Sequence, residues 1–339
     1  MERPAYTHQP IRSIGALCRA LGRPEGLLRS LSERIPQLYI GPKPKLKKDG
    51  VSIRYVYDTK HPLKPLLKTI NRVLFEKVSF PPYLQGSLKG RDFVSNAELH
   101  AGSQTLIAED IAKFFDYITA DHVFHVWQGF FGFHEEPATL LTALTTREGR
   151  VFQGTPTSSY LANLAFWDIE GTLVEKLAAR GLRYSRYVDD VTISSKSALP
   201  NDVKTWAIAQ VLAMMGSRGF RPAREKHSVQ SAHRRVSVMN LNVNGKPGLS
   251  ALERSNIRAA VYQLEQLFDR GETSIDFRRA VEKASGRVGR MARFHDDEAA
   301  ALRTRVQAMR RVLDTEPFST GIVTASTNPT GVDDGTTPF

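Results

Sequence analysis

At 339 residues the chain is long enough for two or three domains and a substantial buried core, and 41% hydrophobic with 24% charged residues is an ordinary globular composition. Its 24 Gly and 18 Pro exclude a collagen-like chain, and a single cysteine, Cys18, excludes an internal disulfide and a cysteine-rich zinc site. The net charge of +12 is unevenly spread: residues 1–100 carry 18 basic and 8 acidic side chains, residues 101–200 carry 8 and 12, and residues 201–250 carry 8 and 2. An acidic middle between basic flanks suits a polyanion grip around metal-binding carboxylates; a solvated basic surface produces the same numbers.

No run of eighteen apolar residues occurs, and the start MERPAYTHQP lacks the apolar stretch of a signal peptide. The expected setting is cytoplasmic, with no membrane partner. In chain order, residues 11–35 read as helical through Ile14, Leu17, Leu21, Leu27, Leu28 and Leu31, with Pro36 ending the stretch. Val51, Ile53, Tyr55 and Tyr57 then alternate after a Pro- and Lys-rich segment, which predicts a β-hairpin turning at Asp49-Gly50. Leu63 to Val78 returns to a helical period and is broken by Phe80-Pro81-Pro82.

Thr105 to Ile107 is a β-prone run leading into Asp110, with a helical pattern from Ile111. Gln153-Gly154-Thr155-Pro156 predicts a loop, and Tyr160 to Leu177 a largely buried helix. Leu182 to Ser194 predicts a second hairpin with Asp189-Asp190 at its tip, followed by a helix over Trp206 to Met215 and a β-prone Val236 to Val243. Residues 252–313 read as a helical module, and the tail from Thr315 has a disordered composition.

Carboxylates converge at two places, Asp110 and Asp189-Asp190. Their mutual repulsion favours a divalent cation between them, although Asp110 taken singly reads as a helix N-cap and the adjacent pair as turn residues. The full order of motifs weighs against those readings. Glu109-Asp110-Ile111-Ala112-Lys113-Phe114-Phe115-Asp116, then Gln153-Gly154-Thr155-Pro156-Thr157-Ser158-Ser159 with Asn163, then Tyr187-Val188-Asp189-Asp190, then Gly219-Phe220 with Lys226, resemble the successive motifs of bacterial reverse transcriptases of the retron type. Asn96-Ala97-Glu98-Leu99-His100, preceded by Gly90-Arg91, resembles the retron N-A-x-x-H motif. Val238-Met239-Asn240 stands where retrons usually carry V-T-G and departs from it at two positions.

The resemblance implies an α+β right-hand polymerase with fingers, palm and helical thumb, making DNA on an RNA template from deoxynucleoside triphosphates with two magnesium ions. Two such ions, about 3.5–4 Å apart, serve an in-line phosphoryl transfer. Asp110 and Asp189 are the expected main ligands, Asp190 the weaker one, and the resemblance adds the backbone carbonyl of Ile111. Lys226 is expected at the leaving pyrophosphate, with an ordinary surface lysine as the alternative.

Lys47-Lys48-Asp49-Gly50-Val51-Ser52-Ile53-Arg54 resembles a fingers hairpin, with Lys47 preferred to Lys48 as a point charge and Arg54 as a planar fork for phosphate; the alternative is a solubilising hairpin. Phe115 falls at the family's sugar gate, but adjacent helical aromatics face about 100° apart, so either it or Phe114 fills that role and the other packs inward. Gln153 and Gly154 are expected at the nucleotide, and Asn96 and His100 at nucleic acid.

Gly286 to Phe294 resembles the retron thumb, placing Arg287, Arg290 and Arg293 along the template–primer backbone; a basic helix in a small bundle fits the same residues. The histidines His122, His125 and His134 are expected to be ordinary residues rather than a zinc site. The expected division is 1–100 for the N-terminal helix and fingers, 101–250 for the palm, 251–314 for the thumb and 315–339 for a disordered tail. A dedicated structured noncoding RNA, priming from an internal 2′-hydroxyl, and a separate effector protein in anti-phage defence follow from the retron resemblance alone. The alternatives are another bacterial reverse transcriptase, whether defence-associated, diversity-generating or group II intron-like, and an idle RNA-binding scaffold.

Overall fold

Gly22 and Pro24 decide how the chain begins. The structure, a computed structural model, describes residues 3–46 and 50–315. After a short strand, β1 (Ala5–Tyr6), helix α1 (Ile14–Leu21) is closed by Gly22 at φ 62°, and α2 (Glu25–Glu33) starts after Pro24. The single helix expected over 11–35 is therefore two, because a left-handed glycine ends a helix and a proline opens the next. Pro36 lies in the first turn of α3 (Ile35–Leu38), where its missing N–H has no partner to lose.

The first expected hairpin forms from β2 (Tyr39–Leu46) and β3 (Ile53–Thr59). Lys47, Lys48 and Asp49 lie outside the described residues. Cross-strand pairing sets Lys45 opposite Arg54 on one face, and Pro44 opposite Tyr55 and Leu46 opposite Ile53 on the other. One face is thus cationic and the other apolar.

Helix α4 (Leu63–Val73) buries Leu63, Leu66, Leu67 and Ile70, and ends before Val78 because Phe75–Lys77 tightens into a 3₁₀ turn. Val78 instead opens β4 (Val78–Ser79), which pairs with β1. α5 (Phe93–Glu98) is started by a reciprocal cap between Asp92 and Ser95.

β5 (Thr105–Asp110) runs as expected, but the helix after it begins at Phe114, as α6 (Phe114–Tyr117). The amides of Ile111 and Ala112 are taken by the carbonyls of Asp189 and Arg221, and Lys113 sits at φ 47°. α7 (Ala120–His125), a π turn over Val126–Phe130 and α8 (Glu135–Thr145) follow, then α9 (Ser158–Asn163) and α10 (Glu170–Ala178) in place of one long helix. β6 (Arg183–Tyr187) and β7 (Asp190–Ser195) make the second expected hairpin, ahead of α11 (Asn201–Ser217), a 3₁₀ turn at Arg224–Lys226 and β8 (Ser228–Ser231).

The antiparallel sheet has the order β6-β7-β5-β8, so β5 lies inside it, flanked by two strands from much later in the chain. β9 (Ser237–Val238) and β10 (Leu241–Asn242) form a small hairpin turning at Met239 and Asn240, with φ 49° and 66°. A turn with both central residues in the left-handed region suits Asn or Gly, which Asn240 meets and Met239 does not.

The chain divides into two units at Ser250 and Ala251. The second contains α12 (Ala251–Phe268), α13 (Ile275–Ala292) and α14 (Asp296–Thr315). Phe277, Val281, Ala284, Val288 and Met291 of α13, and Ala299, Leu302, Val306, Met309 and Leu313 of α14, are buried at alternating steps of three and four. That is the spacing of a packed helical seam. Thr315 ends α14, and the rest of the tail expected to be disordered lies outside the described residues. Among the described residues no helix is long and apolar enough to cross a membrane.

Candidate active site

Strand pairing sets Asp110, the last residue of β5, directly opposite Asp190, the first of β7. Directly opposed residues share a face of the sheet, so both carboxylates stand on one surface. The turn between β6 and β7 is Val188-Asp189, with Val188 at φ 61°. Asp189 is brought to the same place because its carbonyl accepts the amide of Ile111, at 3.1 Å. Lys226 donates from Nζ to Asp110 Oδ2 at 2.7 Å.

Asp110 is buried while Lys226 is half exposed. Burial, then the neighbouring Asp189 and a hydrogen bond with the Asp110 carboxyl, push the Asp190 carboxyl up to about 7. Burial and the Asp110 charge also raise Asp189. Burial opposes the charge on Lys226, but the three carboxylates outweigh it and hold the ammonium above its usual range.

Three acids crowded against one lysine are short of positive charge. Their hard oxygen donors fit magnesium, which accepts one or two carboxylates and keeps water or substrate oxygens as its other ligands. Among the described residues no three His, Cys, Asp or Glu side chains are grouped so as to hold a metal ion by themselves.

Phe114 is 2% exposed, packed 6.1 Å from the parallel ring of Phe166 and 5.1 Å from Phe220, whereas Phe115 is half-buried. The backbone thus turns one of the two rings inward and leaves the other partly open. The loop carrying Gln153 and Gly154 is joined to β3: Tyr57 N donates to Gln153 O at 2.8 Å. Gly154 is at φ 108°, and a Cβ there would lie 2.4 Å from the Tyr57 carbonyl oxygen. The neighbouring strand thus requires glycine at this position. Arg54 is exposed on β3 opposite Lys45, and Lys47 lies outside the described residues.

Asn96 and His100 are corrected by the fold. They are 1% and 0% exposed, which excludes direct contact with nucleic acid in this conformation. His100 shares hydrogen bonds with Ser194 Oγ at 2.7 Å and Ser185 Oγ at 2.8 Å, and Ser185 donates to Asn96 Oδ1 at 2.7 Å. The motif ties the segment around α5 to both strands of the β6–β7 hairpin. Burial, helped by Arg183, drives the His100 imidazole down to about 3.

The unfolded chain therefore binds the extra proton between about pH 6.5 and 3, and stability is expected to fall as pH drops through that window, by up to about 1.4 kcal/mol per unit. Urea melts of wild type and His100→Gln across that range test this; parallel pH dependences in the two proteins would contradict it.

Arg287 and Arg290 are partly exposed and Arg293 is exposed, at the end of α13, with Arg290 Nη1 donating to Glu253 Oε1 at 2.7 Å. His122 bonds Thr119 and the Arg218 carbonyl, His125 lies 3.5 Å from Asp168, and His134 precedes α8. Two pairs were not read from the sequence, one between an exposed histidine and a buried acid and one buried on both sides. Glu109 meets His227 at 2.6 Å on β5, and Glu170 meets Arg186 at 2.6 Å beneath the Asp189 turn. Arg186, a cation set in a strand just ahead of Tyr187, was the available signal; its partner lies on another element.

Residues 46–244 match the reverse transcriptase (RNA-dependent DNA polymerase) family. The retron Se72 reverse transcriptase of Salmonella heidelberg (strain 579083-10) is 32% identical over 324 residues, covering 93% of this chain and 84% of that protein. The retron Ec48 reverse transcriptase of Escherichia coli is 29% identical over 323 residues, covering 90% and 78%. The retron Ec86 reverse transcriptase, also of Escherichia coli, is 27% identical over 213 residues, covering 62% and 65%.

Proposed function

Because this chain belongs to the reverse transcriptase (RNA-dependent DNA polymerase) family and is of the retron kind, we propose that it copies a dedicated structured noncoding RNA into DNA, with Asp110, Asp189 and Asp190 holding two magnesium ions. It is an RNA-directed DNA polymerase, and deoxynucleoside triphosphates are its substrates. The observation that carries the proposed site is the pairing of Asp110 with Asp190 across adjacent strands, with Asp189 at the intervening turn. Bound there, the ions would activate the primer hydroxyl and stabilise charge on the leaving oxygen.

The chain's own groups are assigned around that centre. The Ile111 carbonyl adds a ligand for the triphosphate-bound ion. Lys226, already paired with Asp110, offers its ammonium to pyrophosphate. Phe115 lies under the incoming sugar, and the Gln153 amide contacts the sugar or triphosphate. Arg54 forks onto phosphate oxygens from the cationic face of its hairpin, and Lys47 is assigned to phosphate on the sequence alone.

Residues 1–100 are read as N-terminal helix and fingers, 101–250 as palm and 251–314 as thumb. Arg287, Arg290 and Arg293 of the thumb follow the template–primer backbone. Priming from an internal 2′-hydroxyl of the RNA, a separate effector protein, a cytoplasmic setting and a role in anti-phage defence complete the proposal by analogy with retrons.

Sequencing RNA and DNA that copurify with the tagged protein is the primary test. A defined RNA joined covalently to a short DNA is expected; free DNA copied from many templates would refute the dedicated template. RNA binding is also expected to weaken with salt, each neutralised phosphate adding about −0.7 to −0.9 to the log–log slope. A filter-binding titration giving the same affinity at low and physiological salt would remove the polyanion grip. A primer-extension assay separates a working polymerase from an idle scaffold.

A further inference from the structure

Arg186 is fully buried, as is Glu170, which meets it. The pair is bidentate: Arg186 Nε donates to Glu170 Oε1 at 2.6 Å and Nη2 to Oε2 at 2.8 Å. The remaining donors go to main-chain oxygens, Nη1 to Val188 at 2.9 Å and Ala162 at 3.2 Å, and Nη2 to Asn163 at 2.8 Å. All five guanidinium N–H groups are thereby used, and lysine, with three donors around a point, cannot reproduce the fork. Tyr184 donates its hydroxyl to Glu170 Oε1 at 2.7 Å.

The Val188 carbonyl is the informative contact. Val188 immediately precedes Asp189, so a bond to its oxygen orients the peptide plane from which Asp189 projects. Val188 also holds φ 61°, a region that a β-branched residue strongly disfavours. Something must hold it there. Arg186 grips its carbonyl on one side, and Gly86 presses on the other: a Cβ at Gly86 would lie 2.4 Å from Val188 Cγ2 and 2.5 Å from its amide nitrogen. Asn163 Nδ2 fixes Gly86 by its carbonyl at 2.8 Å. The Arg186 main chain is itself held, its amide donating to Tyr83 O at 2.8 Å and its carbonyl accepting from Gln85 N at 2.9 Å.

We propose that the Arg186–Glu170 pair is a positioning device that sets the strained Val188–Asp189 backbone and thereby aims the Asp189 carboxylate. The pair rests on the reading of Asp189 as a metal ligand and deepens it. A buried ion pair that merely fills space is often replaceable by apolar residues of similar volume without loss of stability. A positioning pair is replaceable for folding but not for geometry.

Two variants of the full chain separate these roles. Arg186→Lys keeps a charge opposite Glu170 but loses the reach to Val188; Arg186→Met combined with Glu170→Leu removes both charges. Thermal melting, single-turnover extension and Mn2+ binding by electron paramagnetic resonance are measured on each, with Asp189→Ala alongside. In the variants that melt cooperatively, the maximal rate is expected to fall about 100-fold, KM for the deoxynucleotide to stay within about threefold, and the Mn2+ Kd to rise about tenfold.

Wild-type rate and Mn2+ affinity in either folded variant would overturn the proposal. Loss of cooperative melting in both would also overturn it, by making the pair a requirement of folding. Full activity and Mn2+ binding in Asp189→Ala would instead refute the metal-site reading, which keeps the two failures distinct.

Discussion

Asp110→Ala and Asp189→Ala are each expected to cut extension on an RNA template by at least about 10³-fold, which corresponds to about 4 kcal/mol of lost transition-state stabilisation. The two residues come from different parts of the sheet, and each is assigned as a main ligand, with Asp190 the weaker one. Folding should survive both changes. Asp189 carries a raised carboxyl pressed against Asp110, so its removal relieves repulsion as well as burial cost. Asp110→Ala frees Lys226, whose half-exposed ammonium remains solvated. Single-turnover extension and thermal melting on the same preparations decide the matter. A folded variant that extends at near the wild-type rate would remove that residue from the site.

Phe115→Ala is expected to raise ribonucleotide use relative to deoxynucleotide use, and Phe114→Ala to act through stability. Phe114 is closed into the core against Phe166 and Phe220, so truncation leaves a cavity costing about 3–5 kcal/mol. Phe115 is only half-buried, and the proposed function sets it under the incoming sugar. Deleting that ring opens the space that a ribose hydroxyl needs, while lost sugar packing lowers the overall rate. The measurement is kcat/KM for a ribo- and a deoxynucleoside triphosphate opposite the same template base. Selectivity that moves only in Phe114→Ala would place the gate one residue earlier; selectivity that moves in neither would place it elsewhere.

The two hairpins that carry candidate site residues were legible because their signals are local. Alternation at period two through Val51, Ile53, Tyr55 and Tyr57 marks β3 after its turn residues, and an acidic pair between two β-prone runs marks β6–β7. Helix ends were less legible. The expected helix from Ile111 begins at Phe114 because the intervening amides bond Asp189 and Arg221, residues far away in the chain. The long helix expected over Tyr160 to Leu177 is split, as a continuous apolar run has no period to mark a break.

His100 shows the limit most clearly: a motif resemblance brought it to notice and suggested nucleic acid. The fold instead spends its two ring nitrogens on Ser185 and Ser194.

By itself the sequence determined the kinds of chemistry present and their order: acids at a strand end and at a hairpin tip, a loop glycine, an aromatic pair and basic flanks. Each is a matter of residue type and short-range pattern. The tertiary structure alone decided that β5 lies beside β7, so that Asp110 faces Asp190, and that Glu170 rises under Arg186. Such meetings are set by burial and pairing between distant segments, whose free energy belongs to no window of the chain.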